Sequence, residues 1–379
     1  MSVLGRGRLS AICAAMLCLG VLAGCGAAGP ASRPATSAAS TPVTSAVKRA
    51  DFLNGVWCTA PNSCIAVGSY YYGAGPRRTL VERWNGSTWR VERLPADARD
   101  GSLTAISCAG PSSCTAVGSP AIGWNGRIWR VERRTSPFDA VSCPTASSCV
   151  AVGTTSAGAQ AAGMWNGRAW RAIPMPALPS NTNSVTLAGV SCSAPGACLA
   201  VGDYWTGVTA RPNSHSRDLI LAEFWNGTRW RIGPSLNVAR RDRLSAVTCL
   251  AGNSCLAVGS VSSKTTLAQW WNGKGWRVQR TPEYNRIGYS ELTGVSCLTP
   301  SHCVAVGDYN LGVPFAESYN GSAWTISRMA APPVPRATQG LTVSCRPAGC
   351  EAAGTVGGET FAESFNGTSW RLQPTPDPR

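Results

Sequence analysis

Apolar and small residues in this chain alternate over short runs and show no helical period in any window. The stretch Leu292 to Met329 is representative. Leu292-Thr-Gly-Val-Ser-Cys297 alternates and predicts one strand, and Cys303-Val-Ala-Val-Gly307 is a continuous apolar run that predicts a second. Phe315-Ala-Glu-Ser-Tyr319 and Trp324-Thr-Ile-Ser-Arg328 predict a third and a fourth. Between the first two stand Pro300 and Ser301, which are turn residues. Between the last two stands Asn320-Gly321, which predicts a two-residue type I′ hairpin turn because Asn and Gly tolerate positive φ.

The same pattern occurs seven times, starting at Cys58, Cys108, Cys143, Cys192, Cys249, Cys297 and Cys345, at intervals of 50, 35, 49, 57, 48 and 48 residues. Each copy runs Cys, a short gap, Cys, a small-apolar-Gly run, a variable gap, then an aromatic followed by Asn-Gly-x-x-Trp. Repeats of this period indicate a propeller or a solenoid. Four short antiparallel strands per copy make one propeller blade, so the chain is read as an all-β, seven-bladed β-propeller. Closure into a ring hides the two end blades, and nothing in the sequence looks like a dedicated cap. Twelve of the fifteen Trp fall in the aromatic-Asn-Gly-x-x-Trp motif, and Tyr319 and Phe365 replace its first Trp in the last two copies. Bulk between neighbouring sheets therefore explains these positions.

Fourteen cysteines fall two to a copy: Cys58 and Cys64, Cys108 and Cys114, Cys143 and Cys149, Cys192 and Cys198, Cys249 and Cys255, Cys297 and Cys303, Cys345 and Cys350. Each pair spans the first hairpin of its blade and reads as a local disulfide of an exported chain. A metal site is not expected, because His215 and His302 are the only histidines. The sequence calls for no cofactor.

On these residues the chain resembles kelch-like and related bacterial propellers. Ala305-Val306-Gly307, Tyr319 and Trp324 stand where that family has a Gly-ended second strand, an aromatic on the third and a Trp on the fourth. The resemblance covers residues 52–373. The kelch Gly pair is reduced to one Gly, and the Cys pair is additional. Ser318-Tyr-Asn320-Gly321-Ser-Ala-Trp324 also looks like the Asp-box turn of sialidase-type propellers, one residue short and with Asn for Asp. That implies an analogous turn, not sialidase chemistry.

The N-terminus supplies an address. Arg6 and Arg8 precede an apolar run, Leu9 to Val21, that is too short to span a bilayer. It ends in Leu22-Ala23-Gly24-Cys25, which resembles a bacterial lipobox. That resemblance implies a signal peptide over 1–24, lipid on Cys25, and a protein anchored to the extracellular face of the plasma membrane. The Ala/Gly/Arg-rich bias is of the actinobacterial type. Residues 25–47 are Ala, Ser, Thr, Pro and Gly with little else, a composition that reads as a disordered tether. Residues 48–379 are left for the propeller. Formal charge is +15 for the whole chain and +13 once Arg6 and Arg8 leave with the signal. Such a surface attracts anionic partners. For an exported protein these are wall polymer or lipid headgroups, not nucleic acid.

Strand parity divides the blade ends into two faces. The Cys hairpin and the Asn-Gly turn share one face and vary little between copies. The loop from strand two to strand three shares the other face with the inter-blade links. From the strand-two Gly to the motif aromatic this segment spans 16, 6, 12, 23, 12, 12 and 11 residues. Variable loops on a rigid scaffold are where binding sits. The candidate ligand-binding residues are Tyr71 in blade one, Asp203, Tyr204, Trp205, Arg211 and His215 in blade four, and Asp308 and Tyr309 in blade six. Aromatic rings stack on sugars, Arg pairs with anions and Asp accepts hydroxyl bonds. They are expected to line one patch.

Glu82, Glu223, Glu317 and Glu363, with Gln269 in the same place, recur two residues before the aromatic-Asn pair and are expected to be structural inter-blade partners. Arg90, Arg130, Arg171, Arg231, Arg277 and Arg371 follow the motif's second Trp and are expected to face solvent from an outermost strand. Nucleophile-elbow, zincin, P-loop and dinucleotide motifs are absent from the sequence, and no catalytic residue is assigned. The leading expectation is a monomeric, non-catalytic binding or scaffold module at the cell envelope, for an anionic wall polymer, a glycan or a surface protein. A glycan-active hydrolase or lyase using carboxylates at the channel mouth is the alternative, followed by a purely structural surface protein.

Overall fold

In the computed structural model the described residues are 49–133, 137–207, 217–251, 253–283, 288–310, 312–330, 338–376 and 378. Cys25, Arg211 and His215 lie outside them.

The described residues form seven four-stranded antiparallel sheets, each built from four consecutive strands. The blades span Arg49–Val91, Ser102–Arg133, Ala140–Ile173, Thr182–Ile232, Asp242–Gln279, Ser290–Ser327 and Thr338–Gln373. First strands of neighbouring blades contact one another all the way round, from blade one through to blade seven and back. Strand one is therefore central and strand four is the rim, and the seven-bladed propeller expected from the repeat is what forms.

Within each blade two backbone requirements explain the repeat. The Gly of the Ala-Val-Gly run packs under strand one: a Cβ on Gly307 would lie 1.9 Å from the Glu291 carbonyl oxygen. No larger residue fits without moving the first strand. The Asn-Gly hairpin is not the two-residue type I′ turn expected from its sequence. Tyr319 pairs with Trp324, which leaves a four-residue loop, and within it only Gly321 has positive φ. Asn320 instead uses its side chain, with Oδ1 accepting from the amides of Ser322 at 3.0 Å and Ala323 at 2.9 Å. The cap satisfies two backbone donors and makes the longer loop rigid.

All seven cysteine pairs are disulfides with Cα atoms 3.9–4.0 Å apart. The residue before the first Cys has a role that sequence reasoning missed. Cys143 N donates to Ser107 Oγ, Cys192 N to Ser142 Oγ, Cys249 N to Ser191 Oγ and Cys345 N to Ser296 Oγ, at 2.8–3.0 Å. Each bond crosses from one blade to the next. The same bond closes the ring, from Cys58 N to Ser344 Oγ at 3.0 Å, helped by Leu53 N to Thr355 Oγ1 at 3.0 Å. No strand is exchanged at this joint. At the rim the strand-four Trp reaches back to the preceding blade: Trp370 Nε1 donates to Ser327 Oγ at 3.0 Å, and Trp89 Nε1 to Gln373 Oε1 at 2.6 Å.

Of the recurring side chains expected to be inter-blade partners, Glu317, Gln269 and Glu363 bond to the preceding blade or link, whereas Glu82 feels only Asp51 and Arg49 of its own blade. Glu82, Glu223, Glu317 and Glu363 are fully buried, as is Gln269. Glu317 Oε1 accepts from Thr266 Oγ1 of blade five at 3.0 Å, and Gln269 Nε2 donates to the Leu236 carbonyl of the preceding link at 2.6 Å. Burial pushes Glu82 and Glu317 up to about 8 and Glu223 up to about 7. The six strand-four arginines are exposed on the outer edge.

Candidate functional site

The two faces are arranged as parity requires. Strand one starts on the variable face and ends at the disulfide hairpin, so its first residues line the channel mouth on the variable side. Three of the candidate positions come together there, and the others do not.

Side chains alternate along strand two of blade four (Ala197–Thr206). Leu199 and Val201 face blade five, so Asp203 and Trp205 project to that side. Cys198, Ala200 and Tyr204 face blade three, where Tyr204 packs with Val185, Leu187 and Leu221. Tyr204 is thus half-buried packing and not a second ring beside Trp205. Tyr309 is its counterpart in blade six, packed toward blade five with its ring 5.9 Å from Phe315. Tyr71 lies in blade one, outside blades four to six. It stacks on Phe52 at 5.9 Å, with the Arg77 guanidinium over both rings. The single patch expected from the three blades therefore resolves into a blade-one stack and a cluster on blades four to six.

That cluster has members the sequence reading did not pick out. Asp203 lies within electrostatic reach of Arg243 from blade five, Asp218 from blade four and Glu291 from blade six. Asp308 is the cross-strand neighbour of Glu291 and feels its charge. Glu291 Oε1 accepts from Ser245 Oγ at 2.6 Å, and its Oε2 lies 3.9 Å from Arg243 Nη1. Asp203 and Glu291 thus share the Arg243 guanidinium, with Asp218 beside Asp203 and Asp308 beside Glu291. Burial is the main cause that pushes Asp203 and Asp308 up to about 6; for Asp203 the Arg243 charge opposes the rise. Among the described residues, no three His, Cys, Asp or Glu side chains gather as metal ligands would.

A signal for this cluster was present in the sequence. The residue before the strand-one Leu is charged only in blades five and six, as Arg243 and Glu291. The residue after the strand-two Gly is acidic only in blades four and six, as Asp203 and Asp308. The repeats had to be aligned and strand one placed at the centre before these departures pointed to one place.

No protein-family model matches the chain, and no curated protein sequence matches it. Solved structures do. YCF48 bound to a D1 peptide is similar at 14% identity and TM-score 0.52, over 88% of this chain and 95% of that one. A lectin from Aleuria aurantia, in complex with α-methyl-L-fucoside, is similar at 11% identity and TM-score 0.51, over 88% and 97%. A chain of the mitotic checkpoint complex is similar at 12% identity and TM-score 0.54, over 93% and 100%. Another structure of the Aleuria lectin is described as a six-bladed propeller, one blade fewer than here. At these identities the likeness establishes the propeller fold, a fold that includes sugar and peptide binders.

Proposed function

We propose that this protein is an exported, non-catalytic glycan-binding propeller, held at the outer face of the plasma membrane by lipid on Cys25 and a tether over residues 25–47. The convergence of Asp203 and Glu291 on Arg243 at the channel mouth, with Asp308 beside Glu291 and Trp205 on the Asp203 side, carries the binding reading. Half-buried carboxylates accept hydrogen bonds from sugar hydroxyls, and such charge-assisted bonds are the strong ones. Trp205 offers a ring to the apolar face of a sugar. The carboxylates beside Arg243 suit the hydroxyls of a neutral or amino sugar. The lectin among the similar folds, which holds a fucoside, and YCF48, which holds a peptide, support a binding role in general terms. The order of positive n-region, apolar run and Leu-Ala-Gly-Cys supports export and lipidation.

The test is a screen of residues 48–379 against bacterial wall glycans at physiological salt, repeated with Asp203→Asn plus Glu291→Gln. A neutral or amino-sugar ligand should lose at least ten-fold in affinity in the double variant while the melting temperature stays within a few degrees. Undiminished binding by the double variant overturns the site. One observation favours a second reading, in which the mouth hydrolyses a glycan. Asp203 and Asp308 are pushed up to about 6 on either side of Glu291, and acids poised near neutrality serve proton transfer. Release of reducing ends by the native protein, lost in Glu291→Gln, would establish it.

A further inference from the structure

The constant face, expected to be scaffold, is broken at one place. In most blades the residue before the motif aromatic is large: Arg83, Met164, Phe224 and Trp270 in blades one, three, four and five. Two of these visibly close the junction to the next blade. Phe224 lies 4.9 Å from the Trp271 ring, and the Arg83 guanidinium sits 4.3 Å over Trp124. Blade two carries Gly123, whose space the Glu132 side chain takes, and blades six and seven carry Ser318 and Ser364. A groove of ≈ 420 Å³ runs between blades six and seven, and a cavity of ≈ 80 Å³ lies between blades seven and one. The junction of blades four and five, lined by Phe224, also encloses ≈ 240 Å³, but no charged side chain lines it.

Arg346 lines both openings. It sits on the seventh hairpin, whose cysteines are one residue closer in sequence than in any other blade. Its guanidinium is half-buried, donates to the Cys345 carbonyl at 3.0 Å and lies 5.5 Å from the Trp57 ring. Among the described residues no carboxylate pairs with it. The one carboxyl group nearby, Glu351, occupies a strand position that other blades fill with Ile65, Val150, Leu199, Leu256 or Val304. Burial pushes its carboxyl up to about 8, against a hydrogen bond from Gln373, and Arg346 is not among the charges it feels. Glu351 Oε1 and Ser318 Oγ are buried without a hydrogen-bond partner. His302 and Tyr319 complete the groove wall. Glu351 lines the seven–one cavity, whereas the six–seven groove holds an unpaired cation, the unused Ser318 hydroxyl and an aromatic edge, and calls for an anion on a hydroxylated body.

We propose that the blade six–seven groove on the constant face is a second ligand site, for a sugar unit bearing an acidic group, with Arg346 pairing the acid and Ser318 and Tyr319 contacting the sugar. It shares no residue with the channel mouth and stands or falls separately from it. The acid can be a carboxylate, as in a uronic acid, or a phosphate ester, as in a sugar-phosphate polymer.

The experiment is calorimetric titration of the purified full-length protein in detergent, at physiological salt, with methyl glucuronide, glucose 6-phosphate, methyl glucoside and inorganic phosphate. Binding of either acidic sugar, with at least ten-fold weaker binding of methyl glucoside and of inorganic phosphate, is expected; which acidic sugar binds identifies the acid. Arg346→Gln should weaken the acidic sugar at least ten-fold, and Arg346→Lys less. Ser318→Phe, which restores the filling residue of blade four, should abolish binding without lowering the melting temperature. Asp203→Asn plus Glu291→Gln should leave it unchanged. No binding by either acidic sugar overturns the proposal. So does binding of methyl glucoside or of inorganic phosphate equal to that of the acidic sugar when the mouth carries Asp203→Asn plus Glu291→Gln, or a loss no larger in Arg346→Gln than in Arg371→Gln on the exposed rim.

Discussion

Two sets of carboxyl groups in this propeller have raised pKa values, and they do different things. Glu82, Glu223 and Glu317 lie in strand three, closed off between adjacent sheets and fully buried. Asp203 and Asp308 lie at the channel mouth, half-buried, Asp203 beside charges from blades five and six and Asp308 beside Glu291 of its own blade. Desolvation is the leading cause in both sets. What separates them is repetition. A residue that recurs through most blades serves the contact every blade makes, whereas one confined to neighbouring blades breaks the symmetry at one location. In a repeat protein a perturbed acid therefore indicates function only when the other copies lack it.

The largest expected effect concerns the strand-three set. An acid whose folded pKa is raised binds its proton more tightly in the fold. Its stabilisation is complete below about 4.5, the unfolded value, and is lost as pH rises through about 7 to 8. The melting temperature should fall from pH 5 to pH 8, by a free energy on the order of several kcal/mol summed over the set. Calorimetry across that range checks it, and Glu317→Gln should flatten the curve. A melting temperature that rises toward pH 8 would show these acids to be ionised in the fold.

Next in size is the contrast between adjacent rings. Tyr204→Ala should cost about 2–4 kcal/mol of stability, because it opens a cavity against Val185, Leu187 and Leu221. Trp205→Ala should cost under about 1 kcal/mol and act on ligand affinity instead. Denaturant midpoints and glycan binding of the two single variants separate these effects. Reversed outcomes would mean that Tyr204 is the exposed ring.

A smaller effect is expected at the mouth on acidification. Protonated Asp203 and Asp308 accept weaker hydrogen bonds, so affinity for a neutral glycan should drop several-fold between pH 7 and pH 5. Affinity that holds steady across that range would place the ligand elsewhere. The smallest effect belongs to the scaffold. Ser142→Ala removes the acceptor for Cys192 N and should cost about 1 kcal/mol, read as a shift in denaturant midpoint.

The blade, its four strands, the disulfide pairing and the division into two faces were all legible in the sequence, because each rests on local periodicity repeated seven times. The Asn-Gly loop was misread because turn rules weigh backbone φ, whereas Asn320 acts through its side chain. Tyr204 and Trp205 were grouped as neighbours in sequence, although alternation sends them to opposite sides of a sheet. Arg243, Glu291 and Ser245 were overlooked because nothing local marks them. They meet Asp203 only once the strands of three blades converge on the ring centre. Arg346 and Ser318 were hidden for the opposite reason: they sit on the face whose uniformity suggested an inert scaffold.

The joint between the first and last blades joins two whole sheets, with no strand lent across it. Covalently it is like the other junctions except that no peptide link crosses it. The unit that repeats in the sequence is thus also the unit that forms a sheet. A version cut at any other inter-blade link, with the old ends spliced, should assemble the same ring. Losing or gaining a complete copy would alter the circumference in whole steps while leaving each hairpin intact.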